Sequence, residues 1–387
     1  MKEPKLRFKA DDGSDFPELE AKSLFDICEY KNKQSVGKNY VGTENMKQNF
    51  SGLESLDEET EMKGVCYCKG DTLMSNIRPY LRKTWKADRE GVCSTDVLVF
   101  HPIDVVSEYL HYLIASDKFI SYVMTGVKGV KMPRGDKEHM MKFSIMVPSL
   151  PEQQKIADFL STIDTIIEKQ QATVSAWEER KKGVIQKLFS QEVRFKADDG
   201  SDFPDWEEKK FGDVIKEFKE KTKIEDEDIL LSCAIDGVYL NSELFGHQRG
   251  QSNIGYLKVK RGTLILSAQN LHLGNANVNM RFEHGIISPA YKTYEIVGCT
   301  IEYMNQWVKW DMTKQFFYNA TTVGASGCRR NVDWLMLYNQ MFILPSLPEQ
   351  QKIADCLSAL DTVIQKQKET LEKWQELKKG LLQQMFV

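Results

Sequence analysis

The sequence has no long apolar run, and nothing in it approaches the ~20 consecutive apolar residues that a bilayer span requires. Its first fifteen residues, Met1 to Asp15, are studded with charge and lack the apolar stretch of a secretory signal. Both absences point to a cytoplasmic chain with no membrane association. An excess of one charge is missing too: 52 Lys and Arg stand against 56 Asp and Glu. Bulk charge therefore does not mark a nucleic-acid binder, and any basic surface must come from local clustering. Eight cysteines are scattered, and only Cys66 and Cys68 stand close together. One such pair without a second is a poor metal signature, so buried or idle thiols in a reducing compartment are the expectation. The six histidines (101, 111, 139, 247, 272, 284) have no ligand spacing, and no metal site is expected.

What is present is an internal repeat. The word RFKADDGSDFP at Arg7–Pro17 recurs letter for letter at Arg194–Pro204, 187 residues on. A second word, PSLPEQQKIAD at Pro148–Asp158, recurs at Pro345–Asp355, 197 residues on. The chain is thus one unit of about half its length written twice, with ten more residues between the words in the second copy. Between the framing words the two halves share almost nothing. That pattern suits a common chassis carrying two different recognition heads.

The repeated tail predicts a long helix. Ser149-Leu-Pro-Glu152 and Ser346-Leu-Pro-Glu349 match an S-x-x-E capping box, with proline in the tolerated first turn. Apolar residues then fall at steps of four and three: Ile156, Leu160, Ile163, Ile167, Val174, Trp177, Val184 and Leu188. The second copy gives Ile353, Leu357, Leu360, Ile364, Leu371, Trp374, Leu381 and Met385 in the same register. A heptad seam of this length predicts a coiled coil, and the seam residues are candidate interface positions. Polar residues interrupt it at matching places, Gln170 with Gln367 and Lys181 with Lys378, as register-setting residues do. Trp177 and Trp374 are expected to be core residues at the rod centre. Gly183 and Gly380 lie inside the predicted helices, each costing ~1 kcal/mol relative to Ala, and permit close approach of a neighbouring helix.

These readings predict an α/β (α+β) chain with two globular heads separated by two long antiparallel helices, a tandem repeat of pseudo-twofold symmetry. The expected boundaries are 1–148, 149–190, 191–345 and 346–387, in the order head, helix, head, helix. The runs Val97–Phe100, Thr263–Leu266 and Tyr294–Val297 read as strands, and helical patterns cover Glu108–Ser121 and Ile301–Phe317.

The words themselves resemble a known family. PSLPEQQKIADFLSTIDTII, PSLPEQQKIADCLSALDTVI and the tails KKGVIQKLF and KKGLLQQMF look like the conserved regions of Type I restriction-modification specificity (S) subunits, the HsdS family. Within the heads, GDTLMSNIRPYLRK (Gly70–Lys83) and KGVKMPRGD (Lys128–Asp136) resemble it as well. The resemblance implies that each head is a target recognition domain reading one half of a split, asymmetric site in double-stranded DNA. It implies helices that set the gap and dock two methyltransferase (M) subunits, with restriction and translocase (R) subunits joining through them. S-adenosylmethionine, ATP and magnesium would belong to those partners, in a bacterial or archaeal cytoplasm, and this chain would hold no cofactor.

The residues agree with a chain that is not itself an enzyme. A methyltransferase acting on an amino group would need an [N/D/S]-P-P-[Y/F/W] loop, and Ser288-Pro-Ala-Tyr291 lacks the second proline. No G-x-G-x-x-G follows a strand, and no phosphate-cradling G-x-x-x-x-G-K-[S/T] exists. DNA contact is therefore sought in local clusters. In the first head these are Arg78, Tyr80, Arg82 and Lys83, then Lys128, Lys131 and Arg134 in a glycine-punctuated loop. At the matching places the second head has Ser267, Gln269, Asn270 and His272, then Arg329 and Arg330. Lysine and arginine suit phosphates, arginine can fork onto guanine, and Gln or Asn can bond an adenine edge twice. Each cluster can equally be a solvated loop. A self-contained DNA methyltransferase and a coiled-coil scaffold that binds no DNA remain the competing readings.

Overall fold

The computed structural model describes residues 3–245, 252–323 and 330–386. Helices and strands mix, and the chain divides into two compact units, residues 1–172 with 368–387, and residues 173–367. Among the described residues every pairing between named strands is antiparallel, which places the chain on the α+β side of the expectation.

In the first unit a four-stranded sheet runs in the order Cys28–Lys31, Val97–Pro102, Thr72–Ser75, Thr84–Lys86. A separate pair joins Glu20–Ser23 to Ser144–Val147, bringing the two ends of the head together in the register Glu20↔Val147. The second unit has a sheet ordered Ile215–Phe218, Tyr291–Ile296, Leu264–Ser267, Ala276–Val278, and the pair Glu207–Lys210 with Met341–Leu344 closes it. The expected strands are therefore present. The two helical patterns are each broken in the middle. Ser107–Ile114 ends where the Ser116 hydroxyl donates to the Leu113 carbonyl, and the same oxygen accepts from the Phe119 amide to cap Asp117–Thr125. Ile301–Trp307 and Asp311–Asn319 are likewise two helices.

Two long helices follow the heads, Leu150–Phe189 of 40 residues and Leu347–Met385 of 39. The opening turns of each lie in the core of the head that precedes it. In the first unit Ile156 and Leu160 pack with Phe100, Tyr109 and Leu113, and also with Leu382, Met385 and Phe386 from the end of the chain. In the second, Ile353 and Leu357 pack with Phe211, Trp307 and Phe317, together with Ile185, Leu188 and Phe189 from the end of the first helix.

The repeated words meet in space. Glu152 is 1% exposed at its side chain, and Arg7 grips it in a forked pair, Nε to Oε1 at 3.1 Å and Nη2 to Oε2 at 2.6 Å. Arg7 Nη2 also donates to the Pro17 carbonyl at 2.8 Å, so the RFKADDGSDFP arm is folded around its own arginine. The next residue, Gln153, accepts from the Val106 amide and donates to the Pro148 carbonyl, stitching helix to head. Lys155 donates to the Lys9 carbonyl and pairs with Asp11 at 2.5 Å. The second copy has Arg194 on a fully buried Glu349 at 3.0 and 2.8 Å, with Trp206 Nε1 adding a donor at 3.1 Å. Gln350 accepts from the Thr300 amide, and Lys352 pairs with Asp198. A buried carboxylate is tolerable only when paired and hydrogen-bonded. Each word thus exists to satisfy the other, and the capping-box expectation is corrected. The Ser149 and Ser346 hydroxyls are buried without a hydrogen-bond partner, and the glutamate side chains bond the arginines rather than the helix start.

The seam also differs in detail. Ile156, Leu160, Ile163, Val174, Ile353, Leu357, Ile364 and Leu371 are buried, whereas Ile167, Leu360, Trp177 and Trp374 are only half-buried. Neither tryptophan is a sealed core residue, and Trp177 carries Arg180 over its ring at 5.3 Å. Towards each helix end burial moves from Val184 to Ile185 and from Leu381 to Leu382. A 3.6-residue turn drifts against a 3.5-residue repeat, and the helix end follows the head core rather than a two-helix seam. A Cβ added at Gly183 or Gly380 would meet nothing within 4 Å, so neither glycine serves a close helix contact among the described residues. The seam lysines do find partners. Lys181 pairs with Asp361 at 2.6 Å, and Asp361 also accepts from Gln306. Lys378 pairs with Asp164 at 2.5 Å, and Asp164 accepts from the Tyr112 hydroxyl at 2.7 Å. Each pair joins two helices and a head within one unit.

Removing one side of the arm contact should be costly. Arg7→Ala leaves the Glu152 carboxylate buried and unpaired, a loss of about 3 kcal/mol, towards the low end because the guanidinium is one-third exposed. Hydrogen exchange should show the opening turns of the Leu150–Phe189 helix unprotected in that variant, with Arg7→Met/Glu152→Leu restoring most of the protection. Unaltered exchange in Arg7→Ala would show that the pair holds nothing.

Candidate nucleic-acid interface

Three segments distant in sequence are joined at one edge of the first head. The strand Thr72–Ser75 runs into a 3-10 turn, Pro79–Leu81, flanked by Arg78 (φ 51°) and Arg82 (φ 55°), both left-handed. Such backbone in a residue with a side chain costs on the order of 1–3 kcal/mol and persists only when its surroundings hold it. Here the Phe50 amide donates to the Arg82 carbonyl at 2.7 Å, and Asn49 to that of Leu81 at 3.1 Å. The Arg78 amide donates to the Pro133 carbonyl at 2.8 Å. The glycine-punctuated loop closes on itself through reciprocal bonds between Lys128 and Arg134 at 2.8 and 2.9 Å. It rests on the strand end through Gly135 N to the Asn76 carbonyl. A Cβ at Gly135 would lie 2.0 Å from the Met140 Cε, so a larger residue here would displace the end of that side chain.

All seven residues singled out in the first head belong to this edge. Four of them are already engaged. Arg82 pairs with Asp117 at 3.0 Å, Lys128 with Asp136 at 2.5 Å and Arg134 with Asp96 at 3.1 Å, while Lys83 donates to the Thr43 carbonyl at 2.7 Å. Lys128 in turn holds the Asp136 carboxyl below the usual carboxylate range, helped by the His139 amide. Arg78 and Lys131 are exposed, and among the described residues their side chains have no ion pair. Tyr80 is half-exposed beside them. Two cations rather than six are thus free for an anion such as a phosphate. The counter-charges Asp96 and Asp117, and the supporting Asn49–Phe50 segment, were missed because nothing local ties them to the basic clusters, whereas Asp136 stands in the Lys128–Asp136 word itself and was not read as a partner of Lys128.

In the second head the equivalent strand Leu264–Ser267 leads into the turn Leu271–Leu273, which Gly274 ends at φ 87°. Gln269 and Asn270 are exposed and His272 is half-buried. Ser267 is buried, and its hydroxyl accepts from the Asn270 amide at 3.1 Å, so it shapes the turn rather than facing out. Arg330 donates to Thr321 through Nε and Nη2, both at 2.8 Å, and lies over the Tyr318 ring at 4.0 Å. It braces the hairpin of Thr321–Val323 and Arg330–Val332. Arg329 lies outside the described residues, as does the neighbouring Cys328.

Other chemistry is sparse. Burial pushes the thiols of Cys28, Cys93, Cys233 and Cys299 up to about 12, far from reactive. His111 is buried and pushed down to about 3, first by burial and then by Lys378 and Lys86, so it stays neutral. Among the described residues no group of three or more His, Cys, Asp or Glu could hold a metal ion, and no helix is long and apolar enough to cross a membrane. A cavity of about 620 Å³ opens beside Tyr30, Phe100 and Met140, and none of the predicted residues lines it.

If this edge meets duplex DNA, Arg78→Ala/Lys131→Ala should lower the salt slope of binding by about 1.8, at ~0.9 for each phosphate left without its cation. Lys83→Ala, which removes only an internal bond, should leave the slope alone. Anisotropy of a labelled duplex across a salt series measures both, and a slope unmoved by the double variant would take this edge off the DNA.

Comparison with known proteins finds sequence matches to part of the chain and a fold match to all of it. The family model described as "Type I restriction modification DNA specificity domain" matches residues 17–175, from the end of the first arm into the first long helix. The Type I restriction enzyme MjaVIII specificity subunit of Methanocaldococcus jannaschii is 26% identical over 105 residues, 27% of this chain and 25% of that protein. The EcoDI specificity subunit of Escherichia coli is 26% identical over 140 residues, 35% of this chain and 30% of its own length. The matches thus span less than a third of either relative. The crystal structure of the Type-I restriction-modification system S subunit from M. genitalium superposes with a TM-score of 0.56 at 12% identity, covering 100% of this chain and 99% of that one. At that identity the likeness is one of fold. Repeated words, family model and relatives point the same way: residues 17–175 match the DNA specificity domain of Type I restriction-modification systems, and the chain is similar to specificity subunits of those systems.

Proposed function

We propose that this chain is the DNA-reading subunit of a Type I restriction-modification complex and carries no catalysis of its own. Residues 1–148 and 191–345 act as target recognition domains, one for each half of a split, asymmetric site in double-stranded DNA. Residues 149–190 and 346–387 form an antiparallel helix pair that relates the heads by pseudo-twofold symmetry and sets the gap between the half-sites. Two methyltransferase subunits dock on this frame, and restriction and translocase subunits join through them. S-adenosylmethionine, ATP and magnesium act on those partners, and the assembly works in the cytoplasm.

One observation carries the reading. The four-stranded sheets of the two heads share a strand order, and the heads share their arginine–glutamate attachment, yet the turn after the third strand of each sheet is chemically different. It offers Arg78 beside Lys131 in one head and Gln269 with Asn270 in the other. A generic scaffold has no use for that contrast, whereas two readers of different half-sites require it.

Co-expression with the methyltransferase encoded beside it, followed by mapping of methylated adenines across the host genome, tests the proposal. Methylation should appear at one split, asymmetric motif and vanish when this chain is omitted. Methylation that persists without the chain, or no stable complex, would favour a coiled-coil scaffold. Methyl transfer by the purified chain alone would instead favour a self-contained methyltransferase. One heptad inserted in both long helices should widen the gap in the mapped motif, while insertion in one alone should abolish methylation. An unchanged gap after matched insertion would show that the helices are not the ruler.

A further inference from the structure

The hairpin from Lys128 to Arg134 has an unusual tip. Val130 is fully exposed, at 102% of its reference area, and Met132 is 48% exposed. Apolar side chains on a mobile loop would need no explanation. This loop is stapled at its base by the two Lys128–Arg134 backbone bonds and turned at Gly129, whose φ is +89°. It is also docked on the recognition turn through Pro133 to Arg78. The chain therefore presents two apolar side chains outward from an anchored base, where they lose the stabilisation that burial would give.

The surroundings say what they meet. Lys128 and Arg134 at the base are neutralised by Asp136 and Asp96, so they do not dominate the field of the hairpin. Lys131 stands between Val130 and Met132 without an ion pair among the described residues, and Arg78 is likewise unpaired next to the hairpin's docking point. An apolar tip flanked by free cations fits a polyanion that carries apolar groups within a groove. The major groove, roughly 12 Å wide, admits a narrow hairpin into an undistorted duplex, whereas the minor groove at roughly 6 Å must first be widened or kinked. On the base edges of the major groove the apolar group on offer is the thymine C5-methyl.

We infer that the Lys128–Arg134 hairpin enters the major groove of the half-site read by the first head, and that Val130 and Met132 recognise thymine there by its methyl group. Lys131 and Arg78 contact the flanking phosphates. This rests on the DNA-reading function proposed above and assigns the first head a base preference that hydrogen-bonding side chains do not supply.

The test uses the full chain assembled with its methyltransferase and duplexes carrying the mapped motif, with each thymine replaced in turn by deoxyuridine. Loss of one buried methyl should weaken binding about four-fold at one or two positions of a single half-site. Val130→Asn/Met132→Gln should abolish that difference there and leave the other half-site's behaviour intact. Uracil tolerated at every position, a half-site without thymine, or a variant that still discriminates would each overturn the inference while the split motif itself stands. A double variant that no longer assembles with the methyltransferase, with wild-type indifference to uracil, would assign the tip to protein docking instead. If the wild-type complex recognises no split motif, the DNA-reading function fails along with it.

Discussion

A buried glutamate at the first turn of each long helix is the constraint on which the architecture depends. Glu152 and Glu349 are sealed from water and tolerable only because Arg7 and Arg194 reach them in forked geometry. Satisfying the carboxylate fixes where the preceding arm lies, and the arm's lysine and aspartate contacts fix it to the next turn of helix. The glutamine beside each glutamate then ties the helix start to a backbone amide of its head. From these contacts follow the angle at which a head meets its helix and the depth to which the helix start enters the head core. A buried ion pair is weak support for stability in itself, and its better-attested role is to specify one arrangement.

That explains the distribution of identity along the chain. The repeated words are alike because each is the other's partner, and changing one side alone strands a buried charge. Residues between them answer to the strand pairs that close each head, Glu20–Ser23 with Ser144–Val147 and Glu207–Lys210 with Met341–Leu344, and to a few contacts with the helices such as Tyr112 with Asp164 and Gln306 with Asp361. Loops beyond the third strand of each four-stranded sheet are under no such obligation and can change their chemistry freely.

Much of this was legible before the structure. The long helices, several strands and the two-word frame follow from periodicity and exact repetition, which are local or self-referential signals. The role of Glu152 was misread because S-x-x-E has a local meaning, the capping box, and its true partner is 145 residues away. Trp177 and Trp374 are half-buried rather than core residues, since heptad spacing marks which face a residue lies on and not how completely that face is covered. At the interface the basic clusters were found, but not which cations are free. Ion pairs such as Arg134 with Asp96 and Arg82 with Asp117 depend on tertiary approach and leave no pattern in the sequence.

The central claim is that the heads are separate readers mounted on equivalent attachments. Replacing residues 207–344 by a second copy of residues 20–147 keeps both arginine–glutamate attachments and both helices while making the heads identical. Genome-wide methylation by the chimaera with its methyltransferase should then map to a palindromic split motif, the first half-site repeated in inverted orientation at the original gap. Methylation at the original asymmetric motif, or at a motif containing neither half-site, would contradict the account.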